Sequence, residues 1–175
     1  VVAHHRVLDL RDGLLTRSTV FEDAEGRRTR LKTVRCASMA DRRVCGLRLE
    51  VTPENHSAEI RVESGINGDR RNLERLPLYP EGTLFSPETR WEKWARARHL
   101  QESSRSADGA LYLEMRTIDT GVDLGYAAAT TYEPSPQHRS VRQRSGRITE
   151  ETVHVGAPGE TLRMDKLVVI CTSRD

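Results

Sequence analysis

The chain has 175 residues, 36% of them hydrophobic and 31% charged, which suits one ordinary water-compatible domain with a single core. No apolar run approaches the ~20 residues a helix needs to cross a bilayer, so no membrane partner is expected. The 28 Lys and Arg are interspersed with 26 Asp and Glu, which excludes the single-sign field of a nucleic-acid binder.

The chain opens on Val1 rather than Met, and Val1 to His5 lack the apolar stretch of a secretory signal, so the sequence reads as a piece of a longer protein. Asp12-Gly13 supplies a turn between Leu10 and Leu14. Leu14 to Glu22 and Arg28 to Ala37, joined through Asp23-Ala24-Glu25-Gly26, read as an antiparallel hairpin. From Val44 to Val51, Cys45, Leu47, Leu49 and Val51 share one face opposite Arg48 and Glu50, and Pro53 ends that strand. Ala58, Ile60, Val62, Ser64 and Ile66 alternate with Glu59, Arg61 and Glu63 in a further strand that stops at Asn67-Gly68.

Residues 69 to 109 interrupt this alternation. Within them Ser86 as N-cap, Pro87 at the first helical position and Glu88 at the positive end of the dipole predict a short helix over 87–98, with Trp91, Trp94 and Ala95 on one face. Strand alternation resumes at Leu111, Leu113 and Met115 and again over Val122 to Tyr132, separated by Asp119-Thr120-Gly121. His138 to Arg147 holds four arginines and no acid, and reads as a solvated basic loop that could meet an anion. Arg147 to Val155 and Thr161 to Thr172 complete the chain around Ala157-Pro158-Gly159, and Leu167 to Cys171, apolar on both faces, is expected to be central. Nine or ten strands and one insertion predict a mainly antiparallel all-β domain of two packed sheets, spanning residues 1–175.

Cys36, Cys45 and Cys171 show no C-x-x-C spacing, so neither a disulfide framework nor a zinc site is indicated, and their apolar strand context suggests buried, reduced thiols in a cytoplasmic protein. The six histidines are scattered without metal-ligand spacing, so no metal is expected. His4 and His5 are adjacent, on opposite faces of an extended segment. In the insertion, Trp91 and Trp94 offer aromatic faces that could take the C–H face of a sugar beside Tyr79, Arg90 and Lys93; the competing role is to fix the helix to the sheets. Asp9, Arg11, Arg17 and Asp41 form a charged group that could pair across strands, meet a following domain, or simply be solvated.

Four segments carry a resemblance. RVLDLRDGLLTR over Arg6–Arg17 is similar to the LDL/MR-x-G-x-L-x-R segment of glycoside hydrolase family 65, whose members include maltose, trehalose and kojibiose phosphorylases. RCASMAD (Arg35–Asp41) resembles the R-F-x-S-x-x-D strand and turn, with Cys36 in place of the aromatic residue, and LRLEVTP (Leu47–Pro53) follows as the next strand. DKLVVICTSRD (Asp165–Asp175) resembles the segment that ends the N-terminal sandwich.

That resemblance implies a two-sheet supersandwich similar to the galactose mutarotase-like fold, followed after residue 175 by an (α/α)6 barrel that carries the glutamic general acid. No catalytic residue and no cofactor is then expected in this chain. The parent would be an inverting disaccharide phosphorylase or glycosidase acting on α-glucosides, with phosphate as co-substrate in the phosphorylase case; the resemblance leaves phosphorolysis and hydrolysis both open. The chain's partners would be its own barrel and, in the full-length enzyme, a second subunit, with the insertion facing one of them. A stand-alone carbohydrate-binding module and a mutarotase-like enzyme are the alternatives.

Overall fold

A computed structural model describes residues 1–68, 109–117 and 120–175 in full, and the backbone over 100–107. The predicted helix over 87–98 lies outside the described residues, as do Tyr79, Arg90, Trp91, Lys93 and Trp94. Every regular element among the described residues is a strand: β1 (Ala3–Asp9), β2 (Leu14–Glu22), β3 (Arg28–Ala37), β4 (Val44–Pro53), β5 (Ala58–Asn67), β6 (Leu100–Ala107), β7 (Ala110–Thr117), β8 (Asp123–Glu133), β9 (His138–Arg144), β10 (Arg147–Gly156) and β11 (Leu162–Thr172). No helix of the described residues is long and apolar enough to cross a membrane.

Hairpin chemistry builds most of this locally. Gly13, at φ 66°, takes the left-handed conformation that closes β1 onto β2, where a side chain would be strained. The predicted β2–β3 hairpin forms with Leu14 opposite Cys36 and Glu22 opposite Arg28. Two non-local steps set the topology: β11 returns to pair with both β4 and β8, and β10 returns to pair with β5. The result is an antiparallel sheet of eight strands in the order β1-β2-β3-β4-β11-β8-β7-β6, with a second sheet ordered β5-β10-β9. The expected antiparallel two-sheet architecture is therefore present, and β11 is central as its sequence suggested.

Register assigns each side chain a face. On the large sheet, Leu31, Thr33 and Arg35 of β3, Val51, Leu49 and Leu47 of β4, Leu162, Met164 and Lys166 of β11, and Tyr132, Thr130 and Ala128 of β8 point the same way, toward the small sheet. The small sheet answers with Ile60, Val62, Ser64 and Ile66 of β5 and Ile148, Glu150, Thr152 and His154 of β10. Two apolar clusters result. Val51, Val62, Leu162 and Met164 form one, and Leu111, Leu113, Met115 and Ile148 the other. Both lie over β4, β11, β8 and β7, so among the described residues β1, β2 and most of β3 extend past the small sheet; Thr19 and Val20 of β2 are nonetheless buried, whereas every residue of β1 is exposed.

Three expectations change. His138–Arg144 is not a loop: it is β9, paired residue for residue with β10. β6 begins at Leu100, inside the segment read as an interruption, because it pairs with β7 along eight residues. The cysteines are not buried: Cys36 and Cys171 are exposed and Cys45 is half-buried. Cys36 and Cys171 point to the outer face of the large sheet, where no second layer lies among the described residues. The same geometry leaves Leu167 59% exposed although its strand is central, since its neighbours there are only Gly46 and Ala129.

Candidate functional site

A polar seam crosses the core between the two apolar clusters. Ser64 on β5 sits between Val62 and Ile66, Thr130 on β8 between Tyr132 and Ala128, and Glu150 on β10 between Ile148 and Thr152. Glu150 is the centre of this seam and is only 1% exposed. The hydroxyls of Thr130 and Tyr132 donate to its Oε1 at 2.6 and 2.7 Å. Arg139 Nε donates to Oε2 at 2.8 Å, and a second nitrogen of the same guanidinium also closes on that oxygen. Arg139 reaches in because β9 pairs with β10, and it also donates to the Gly109 carbonyl at 3.1 Å. One carboxylate thus ties β8, β9 and β10 together across both sheets.

Burial perturbs the groups around it. Tyr132 is pushed up to about 12, first by burial and then by its hydrogen bond to Glu150, because ionising it beside a carboxylate is costly. Burial likewise lowers Lys166, partly offset by the charge of Glu150, and its Nζ donates to the Gly65 carbonyl at 2.9 Å. His154 is 2% exposed, bonds Thr152 Oγ1 through Nε2 at 3.0 Å, and packs its ring against Tyr132 with centroids 5.1 Å apart. Burial holds it below the ordinary imidazole range.

This constellation has the residue types of acid–base chemistry without the access. An acid that protonates a leaving oxygen must come within hydrogen-bond reach of it. Glu150 instead has both oxygens engaged by protein donors and no surface to offer a sugar. Among the described residues no group of three or more His, Cys, Asp or Glu side chains is placed to hold a metal.

The surface groups singled out by sequence fall into two kinds. Asp9 accepts the backbone N–H groups of Arg11 and Asp12, shaping the β1–β2 turn, and Asp41 pairs with Arg43, which holds its carboxyl below the usual range. Of the basic run, Arg139 is spent on Glu150, Arg142 pairs with Glu151, and Arg147 pairs with Glu63. Arg142, Arg144 and Arg147 do border one hollow of about 180 Å³, but Glu63 and Glu151 border it too. Arg17, by contrast, has no ion pair among the described residues.

Sequence reasoning missed Glu150 and His154. In β10 the apolar residues Val153 and Val155 alternate out of phase with Ile148, so the pattern allows either face to be inward. The structure chooses Ile148, Glu150, Thr152 and His154, leaving Val155 56% exposed. A signal was available: the run of arginines directly before β10 supplies the cation that a buried carboxylate requires.

Comparison with known proteins places the whole chain. Residues 1–175 match the family model described as glycosyl hydrolase family 65, N-terminal domain. A kojibiose phosphorylase of Thermoanaerobacter brockii is 26% identical over 185 residues, covering 100% of this chain and 22% of that protein. One from Caldanaerobacter subterraneus is 30% identical over 180 residues, covering 97% of this chain and 21% of its own length. A solved structure of a candidate kojibiose phosphorylase from the human microbiome superposes with a TM-score of 0.76 at 13% identity, over 98% of this chain and 19% of that one. The chain therefore spans about a fifth of the length of these relatives, and the superposition establishes the shared fold.

Two outcomes test the seam. Glu150→Ala leaves the Arg139 cation and two buried hydroxyls without their acceptor and should cost about 3–5 kcal/mol by urea denaturation, whereas Glu151→Ala, which breaks a surface pair, should cost under about 1 kcal/mol. Equal effects would contradict the buried-clamp description. Because His154 is held below its unfolded value of 6.5, the unfolded chain binds its proton first as pH falls. Stability should therefore drop as pH passes below about 6.5, and His154→Gln should flatten that slope in pH-dependent thermal melts; an unchanged slope would contradict it.

Proposed function

The chain belongs to the glycosyl hydrolase family 65 N-terminal domains, and from that premise we propose that it is the non-catalytic sandwich domain of an inverting disaccharide phosphorylase. The parent reaction cleaves an α-glucoside with phosphate, giving a sugar 1-phosphate and a free sugar. One carboxylic acid protonates the departing oxygen while phosphate attacks from the opposite face of the ring. In this reading the acid and the phosphate-holding groups belong to an (α/α)6 barrel that follows the sandwich, phosphate is a co-substrate, and no cofactor is used. The sandwich supports that barrel and the assembly of a homodimer in the cytoplasm.

The observation that carries this reading is the match along all 175 residues to an N-terminal domain that occupies only about a fifth of the kojibiose phosphorylases. The enclosure of Glu150 supports it from the chemical side, since a carboxylate locked by three donor groups is unavailable as an acid. Tyr79, Arg90, Trp91, Lys93 and Trp94 are proposed to face the barrel or the second subunit.

The purified chain, incubated with kojibiose, trehalose or maltose and inorganic phosphate, should release no sugar 1-phosphate, while the longer protein that contains it should do so from one of them. Phosphorolysis by the 175 residues alone would overturn the non-catalytic role. Catalysed anomer interconversion of free glucose would put a mutarotase-like activity in its place.

A further inference from the structure

The two faces of the large sheet treat their charges differently. On the outer face Arg30 pairs with Glu54, Lys32 with Glu50, Arg48 with Asp165 and Arg163 with Glu133. On the inner face, where β1, β2 and β3 pass beyond the small sheet, Arg6, Arg17 and Arg35 are exposed and make no ion pair among the described residues. They are also neighbours. Arg6 lies directly opposite Arg17 across the β1–β2 ladder, and Arg35 is opposite Leu15, two residues from Arg17 on the same face.

Like charges placed directly opposite in a sheet repel, so this arrangement works against the isolated domain. With His4, Leu15 and Thr33 the three arginines border a hollow of about 330 Å³. His4 is oriented by a 2.9 Å hydrogen bond between its Nδ1 and Thr19 Oγ1. Arg35 also borders a second hollow with Leu47, Lys166 and Val168, so the cationic patch runs into an apolar one without a break. An apolar strip beside unpaired arginines has the composition of a protein interface rather than of a solvated surface.

We propose that this face of β1–β3 docks carboxylate side chains of the polypeptide that follows the domain in the longer enzyme, with Arg6, Arg17 and Arg35 as the receiving cations. The proposal rests on the reading that the chain is one domain of such an enzyme. Charge complementarity argues for it, because three forked guanidiniums with no acid partner among the described residues can each donate to a carboxylate bidentately. Position argues for it too. Asp175 lies beside the β3–β4 turn, within 3.8 Å of Arg42, at the same end of the sheet as Arg35. Polypeptide continuing from Asp175 therefore leaves the domain at the end of the sheet that carries Arg35.

The test is arginine footprinting with a dicarbonyl reagent, read residue by residue by mass spectrometry, on the 175-residue chain and on the longer protein. Arg6, Arg17 and Arg35 should react several-fold more slowly in the longer protein, while Arg11, exposed on the neighbouring turn, serves as the reference in both. Equal reactivity of the three in the two proteins overturns the proposal. Protection already present in the 175-residue chain overturns it as well: if it appears on adding millimolar inorganic phosphate the occupant is a small anion, and if it grows with protein concentration the occupant is a second copy. Loss of phosphorolysis in the longer protein would refute the functional reading without touching the footprint, so the two failures are separable.

Discussion

Among the described residues three strands face eight, and this mismatch in width governs how the core is distributed. The small sheet spans roughly half of the inner face of the large one, so the apolar clusters form only over β4, β11, β8 and β7. Burial of apolar surface supplies most of the folding free energy, so stability is concentrated under that cover. Beyond it, among the described residues, the inner face continues with Thr19 of β2 buried beside His4, and with Leu15, Thr33 and three exposed arginines around one hollow.

Within the covered half, the seam around Glu150 gives the two sheets a defined relative position. Apolar surfaces tolerate sliding, because one buried leucine is much like the next. A carboxylate that must meet Thr130, Tyr132 and Arg139 at once is satisfied in one register only. The same engagement removes Glu150 from chemistry with an outside sugar. The internal acid is thus used as a fastener, while Arg6, Arg17 and Arg35 lie on the exposed part of the inner face.

Much of the fold was legible because antiparallel strands with one wet face print their alternation in sequence, as Ala58–Asn67 does. β1 and β9 were not, because neither buries an apolar stripe: β1 is exposed along its length, and β9 sends Arg139 rather than a leucine to the core. In β10 two opposite alternations coexist, and the choice between them depends on Arg139, which arrives from another strand. Cys36 and Cys171 were misplaced for a related reason. An apolar strand suggests cover on both faces, and the outer face of the large sheet has none among the described residues. The candidate sugar-contacting residues of the insertion lie outside those residues, while Arg17, singled out as a charged group of open role, became the centre of the cationic face.

Stability should be unevenly distributed over the large sheet, and hydrogen exchange on the 175-residue chain reads that distribution directly. Amides of β4, β11 and β8 should exchange only through global unfolding, and those of β1 and β2 through cheaper local opening, because the first set lies under the small sheet and the second does not. Protection of β1 and β2 equal to that of β11 would contradict the claim that the cover stops at the middle of the large sheet.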